Sequence, residues 1–231
     1  MLLVKIQSLT DIGIKREENQ DNFWSARLMV DDEEAGVICL CDGMGGLSNG
    51  RLASRMVVSD VRDFFRTSID FEELGTVLQR SNRAIYELAK SDGVRMGTTC
   101  TVVMCYQGMY RILHVGDSRC YLLRDESFEP LTRDHSALVK YGIKKSDAPE
   151  LYRKYKNSLT KCMGVLDNVS LDYYEGTYQK GDTFLCCSDG LWHYFDDYNF
   201  TREELFELEE LVQKCIDAGE TDNITVGLLS I

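Results

Sequence analysis

Five aspartates in this 231-residue chain stand at the ends of runs that read as β-strands. Asp42 directly follows the apolar run 36–41, and Asp189 directly follows the run 183–188. Asp222 comes just before 224–231, Asp21 just before 22–30, and Asp117 falls in the turn between two strand-like runs. Strand ends can meet at one edge of a fold, so acids this far apart in sequence can converge. A hard divalent cation such as Mg²⁺ or Mn²⁺ takes oxygen ligands, carbonyls and waters included. Asp42-Gly43 and Asp189-Gly190 each pair a carboxylate with glycine, which lets backbone approach a ligand closely. Asp-Gly is equally a turn dipeptide, so the residues alone leave both a metal centre and a set of well-made turns open. Arg16, five residues before Asp21, carries a planar fork suited to phosphate. Beside Lys15, Glu17 and Glu18, and taken alone, it reads better as a solvated surface charge.

Such a site needs strands to carry it and helices to cover them. The continuous apolar run 36–41 predicts a buried strand. Weak alternation at 2–8 and a mixed aromatic and apolar run at 22–30 predict two more. Over 51–65, Leu52, Ala53, Met56, Val57, Val61, Phe64 and Phe65 fall close to helical spacing. A second helix begins at Asp70, with Glu73 as its capping-box partner. Strands at 98–106 and 109–115 form a hairpin through Gln107-Gly108, followed by a strand at 118–124. Residues 136–159 are rich in Lys and Tyr, contain Pro149 and show no clean period, so they read as a surface excursion with some helix. A buried strand at 183–188 follows. Thr201 with Glu204 then opens a helix whose apolar face runs from Leu205 to Ile216, and a strand at 224–231 closes the chain. Helices inserted between groups of strands give an α+β pattern with largely antiparallel pairing, not βαβ alternation. No stretch resembles a linker or repeat, so a single domain over 1–231 is expected.

Composition removes several function classes. Asp plus Glu number 38 against 26 Lys plus Arg, a formal charge of −12. A generic nucleic-acid binder needs the opposite sign, and so does a protein that rests on an anionic membrane. No apolar run approaches the 18 or so residues that span a bilayer. The first five residues lack the pattern of a signal peptide. The 9 cysteines are odd in number, form no C-x-x-C pair and sit mainly in strand-like runs, as small buried hydrophobes do in a reducing compartment. The 3 histidines form no H-E-x-x-H motif, which argues against a His-based metal site.

The spelling of the motifs adds more than their chemistry. GIKREENQD (13–21), VICLCDGMGG (37–46), GTT (97–99), HVGDSR (114–119), LTRDHS (131–136), CSDGL (187–191) and TDNIT (221–225) occur in that order. Together they resemble the metal-dependent protein phosphatases of the phosphatase 2C type, in the bacterial style. The resemblance implies a four-layer α-β-β-α sandwich of two antiparallel sheets with helices on both outer faces. It also implies a centre of two Mn²⁺ or Mg²⁺ ions bridged by Asp42. The Gly43 carbonyl, Asp189 and Asp222 would complete it, with Asp21 holding metal-bound waters and Asp117 reaching a third, weaker ion together with Asp189. Arg16 would hold the substrate phosphate. The implied reaction is hydrolysis of phosphoserine or phosphothreonine by a metal-activated water. The implied setting is a cytoplasmic monomer acting on phosphorylated proteins and linked to a Ser/Thr kinase, with no nucleic acid or membrane partner.

The resemblance has departures. Met44 and Leu47 stand where family members usually carry a His, and Arg51 stands where an acid is usual. His193 falls near a frequent acid. No side chain is therefore assigned as general acid, and a water fills that role. The alternative is a weak or inactive phosphatase-fold regulator that binds a partner. The altered loop favours it and the intact acids argue against it. Residues 136–159 would form a flap beside the site, made basic by Lys140, Lys144, Lys145, Arg153, Lys154 and Lys156.

Overall fold

A computed structural model describes residues 4–44, 49–198 and 201–231. Its strands alternate in a way that dictates the layers. In β3 (Glu33–Cys41), Ile38 and Leu40 point one way and Val37, Cys39 and Cys41 the other, as the two-residue strand period requires. Val37, Cys39 and Cys41 pack with Ala53, Val57 and Val61 of α1 (Gly50–Phe64) and with Leu74 and Leu78 of α2 (Phe71–Asp92). Ile38 and Leu40 meet Phe184 and Cys186 of β9 (Thr183–Cys187) and Leu229 of β10 (Ile224–Ser230), which belong to the other sheet. The opposite faces of β9 and β10 bury Leu185, Cys187, Val226 and Leu228 against α5 (Asp189–Asp197) and α6 (Leu208–Asp217). Both faces of each sheet are thus buried. The result is helices, sheet, sheet, helices: the α-β-β-α sandwich that the motifs imply.

The first sheet has the order β1-β10-β9-β6-β7, with β1 at Lys5–Asp11, β6 at Arg119–Arg124 and β7 at Ser127–Pro130. The second has the order β2-β3-β4-β5-β8, with β2 at Asn22–Val30, β4 at Cys100–Tyr106, β5 at Met109–Val115 and β8 at Asp172–Thr177. Every pairing between named strands is antiparallel. All nine cysteines are free and buried, in keeping with their reading as small core residues.

Three local expectations need correction. The first strand runs over Lys5–Asp11 instead of 2–8, because its pairing with β10 extends from Lys5 opposite Ser230 to Asp11 opposite Ile224. Residues 1–3 lie outside the described set. The reciprocal capping box at α2 is not formed. Asp70 accepts from the amides of Glu72 and Glu73, but Glu73 takes the Ser68 hydroxyl, which itself accepts from the Asp70 amide. The helix expected after Thr201 is broken. Thr201 and Glu204 do exchange bonds, yet they open only a 3₁₀ turn, Glu203–Phe206, and α6 starts afresh at Leu208. The excursion 136–159 holds two short helices, α3 (Ala137–Tyr141) and α4 (Pro149–Tyr155). It is closed at its base by the Ala137 amide on the Ser158 carbonyl at 2.7 Å.

Candidate active site

Asp42 leaves β3 into a backbone held from two sides. Its amide donates to the Thr99 hydroxyl at 2.8 Å, and its carbonyl accepts from the Thr99 amide and the Thr98 hydroxyl, both at 2.9 Å. The Gly43 amide donates to the Gln20 carbonyl at 3.1 Å, which joins the Asp21 loop to the Asp42 loop. A Cβ on Gly43 would lie 2.5 Å from the Gly50 backbone and 2.6 Å from the Gln20 carbonyl, so no other residue fits. Among the described residues, no donor reaches the Gly43 carbonyl. Gly45, Gly46 and Leu47, the rest of the expected loop, lie outside the described residues. Arg51 sits exposed at the start of α1, 3.9 Å from Glu18.

Further hydrogen bonds bring in the remaining acids. The Thr99 hydroxyl also meets the Ser118 hydroxyl at 2.7 Å, which ties Asp42 to the turn that carries Asp117. The Asp117 carbonyl accepts from the Trp192 indole at 2.8 Å, which ties that turn to α5 and Asp189. The Ser188 hydroxyl accepts from the Thr225 amide at 2.9 Å, which ties Asp189 to the strand behind Asp222. Asn223 closes the ring: its side chain accepts from the Gln20 amide and donates to the carbonyls of Ile12 and Glu18. Gly13, at φ +71°, permits that closure, since a Cβ there would stand 2.1 Å from the Asp222 carbonyl.

The side chains converge on one charge problem. Burial, then the charges of Asp21, Asp189, Asp117 and Asp222, push the Asp42 carboxyl well above its ordinary value. Burial and Asp189 do the same to Asp117. Burial lifts Asp21 to about 7 and Asp189 to about 6. Both Asp21 oxygens are buried with no hydrogen-bond partner among the described residues. The hydroxyls of Ser188 and Thr225 lie near enough to soften that burial without bonding to either oxygen. Among the described residues, the cation that contacts these acids directly is Arg16. It grips Asp222 with two donors, the Nε contact at 2.7 Å. That ion pair holds the guanidinium above its ordinary pKa, helped by the charges of Asp189 and Asp42. The expected phosphate holder therefore faces the acids and is engaged with one of them.

Two residues that the sequence did not single out as partners complete the frame. Glu220 accepts from the amides of Thr221 and Asp222 through one oxygen and faces His193 Nδ1 at 3.2 Å through the other. Only a pairing across 27 positions reveals this, so nothing local in the sequence marks it. His135 accepts the Gly116 amide on Nδ1 and meets Asp172 through Nε2, which pins the turn before Asp117.

A cluster of buried acids short of counter-charge costs several kcal/mol per uncompensated ion. A divalent cation is the chemically matched remedy. The Asp21 oxygens, orphaned among the described residues, and the all-oxygen donor set fit Mn²⁺ or Mg²⁺. The acids are gathered but not preassembled. Among the described residues, the trio with ligand atoms within 4.8 Å of one another is Cys39, Cys41 and Cys100, in the core behind Asp42.

The layered sandwich, with carboxylates gathered on its strand-end loops, defines a class of proteins whose chemistry belongs to acidic loops on a doubly layered scaffold. The family model described as Protein phosphatase 2C matches residues 14–223, and the chain belongs to that family. It is a protein serine/threonine phosphatase, a hydrolase of the PPM type. The protein phosphatase PhpP of Streptococcus pneumoniae is 33% identical over 244 residues, spanning 99% of this chain and 98% of its own. The serine/threonine phosphatase structure from S. agalactiae superposes with a TM-score of 0.82 at 30% identity, covering 99% and 100% of the two chains. The PPM Ser-Thr phosphatase MsPP of Mycobacterium smegmatis, solved in complex with cacodylate, gives 0.79 at 28% identity over 100% and 99%. Among the described residues, no helix is long and apolar enough to cross a membrane.

Proposed function

We propose that the chain, as one catalytic unit over 1–231, hydrolyses phosphoserine and phosphothreonine in proteins at a divalent-metal centre. The reading is carried by the buried, undercompensated acids, above all the orphaned Asp21 oxygens. Asp42, Asp189, Asp222 and the Gly43 carbonyl would hold two Mn²⁺ or Mg²⁺ ions, Asp21 would orient water beside them, and Asp117 with Asp189 would serve a third. Bound there, the ions supply a hydroxide near neutral pH and neutralise charge on the phosphoryl oxygens.

The chain's own groups do the positioning. Arg16 spends two of its five donors on Asp222, so the remainder can orient a phosphate without releasing the acid. One relative, MsPP, was solved in complex with cacodylate, an arsenic oxyanion, which is compatible with a phosphate site in this family. Asn223 and Gly13 fix the Arg16 loop against Asp222, so the fork and the acids keep one geometry. Glu220 holds the Asp222 amide and engages His193 through Nδ1, while Nε2 of that ring is buried without a partner among the described residues, and no side chain is given the role of general acid to the leaving group. Water fills that role. Flap Lys156 lies close enough to draw the Asp189 carboxyl downward, which puts positive charge where a phosphoprotein approaches.

The test is Mn²⁺-dependent turnover of a phosphothreonine peptide. The expected result is activity lost in a chelator, restored by Mn²⁺, and reduced at least about a hundredfold in Asp42→Asn. Turnover equal to that of Asp42→Asn would leave the regulatory reading in its place.

A further inference from the structure

Beside the acid centre lies a second concavity that the phosphatase chemistry does not use. It is a cleft of about 560 Å³ that begins at Met44, the residue after Gly43, and runs under the flap. Arg95 reaches it from the connection between α2 and β4, Lys140 from α3 of the flap, and Lys161 from the segment that follows the flap. Val165 and Leu166 give it an apolar side, and both are exposed, Leu166 by 66%.

The charge of this cleft runs against that of the molecule. The chain carries 38 acids against 26 bases, yet among the described residues no carboxylate lines the cleft. Lys161 is committed to Asp172 at 2.8 Å and to Ser170. Arg95 makes no hydrogen bond or ion pair among the described residues, and Lys140 only leans over the Tyr141 ring. Two cations from separate elements therefore face the cleft without an acid. An Arg fork and an ammonium lining the same cleft suit a dianionic phosphate better than a single carboxylate.

Resting on the phosphatase reading, we propose that this cleft binds a second phosphate on the substrate, so that doubly phosphorylated segments are the preferred class. The phosphoryl group to be cleaved enters the acid centre. The adjoining chain crosses Met44, sets an apolar side chain against Val165 and Leu166, and delivers its other phosphate to Arg95 and Lys140.

The test uses phosphothreonine peptides of one sequence that bear a second phosphothreonine at successive distances on either side, or a glutamate in its place. One doubly phosphorylated peptide is expected to exceed the singly phosphorylated one about tenfold in kcat/KM, the worth of one good charge-assisted contact. Arg95→Ala/Lys140→Ala is expected to erase that gain while turnover of p-nitrophenyl phosphate stays the same. Binding of the same peptides to Asp42→Asn, measured by calorimetry, reads the cleft without turnover. Loss of p-nitrophenyl phosphate turnover in wild type with the binding preference intact would sink the phosphatase reading alone. No preference anywhere in the series, a preference that survives the double substitution, or an equal gain from glutamate would overturn the second-phosphate site.

Discussion

At the scale of single residues, burial decides which charges the fold tolerates. His114 is fully buried, donates to or accepts from Thr101 through Nδ1, leaves Nε2 unpartnered and stacks on His135 at 5.2 Å. Burial, reinforced by the neighbouring His135, brings its pKa down to about 3. The unfolded chain protonates the same imidazole near its ordinary value of about 6.5. Between those values the unfolded state binds more protons, so the contribution of His114 to stability is complete above about 6.5 and is lost as pH falls toward 3. His135 shifts in the same direction, chiefly through burial. Urea midpoints should therefore decline from neutral pH to about pH 5, by up to about 1.4 kcal/mol per pH unit for each such group. His114→Gln should flatten that decline, and an unchanged slope would remove His114 as its source. The places of the five acids at strand ends suggested that they could converge, and the motifs they stand in gave them their expected roles. Glu220 had no such signal, because its role is to accept two amides and face a histidine from another element.

At the scale of elements, every interior strand announced itself, whereas two of the four edge strands did not. The run 36–41 and residues 184–187 of the later run are apolar because β3 and β9 are interior strands with both faces covered. The strands that were missed, β7 and β8, are the outermost strands of their sheets. In β8 half-buried and exposed residues alternate, Asp172 to Thr177, with a glycine among them, so hydrophobicity gives little signal. Edge strands keep polar residues for good reason, since an apolar edge invites pairing with other chains. The start of α2 shows the same limit on local patterns. Asp70 and Glu73 have capping-box spacing, yet the bond that matters runs from Asp70 to two amides while Glu73 is diverted to Ser68. Asp70→Ala is expected to cost about 1 kcal/mol, the usual worth of an N-cap. Glu73→Gln should leave stability within about 0.5 kcal/mol, as surface changes do. Chemical unfolding of both variants checks the pair, and equal losses would restore the reciprocal box.

At the scale of the whole molecule, stability and chemistry pull against each other. The sandwich buries three apolar layers, one between the sheets and one under each pair of helices, and that framework holds the acids together despite their repulsion. The order of the motifs made the sandwich readable, but the cost of its acid cluster appears only when five distant loops are placed side by side. A carboxyl with a raised native pKa keeps its proton in the fold after the unfolded chain has released it. Asp21, lifted from 3.8 to about 7, therefore weakens the metal-free protein progressively as pH rises through that interval. Asp21→Asn removes the charge while keeping the shape. In chelator, the variant should melt higher than wild type at about pH 8, by about 2–4 °C for each kcal/mol recovered, and differ far less at about pH 5. Added Mn²⁺ should then raise the melting temperature of wild type more than that of the variant, because a ligand stabilises only the state it binds. Melting curves that shift equally at both pH values, or that respond to Mn²⁺ alike, would detach Asp21 from the charge problem and from the metal that is proposed to solve it.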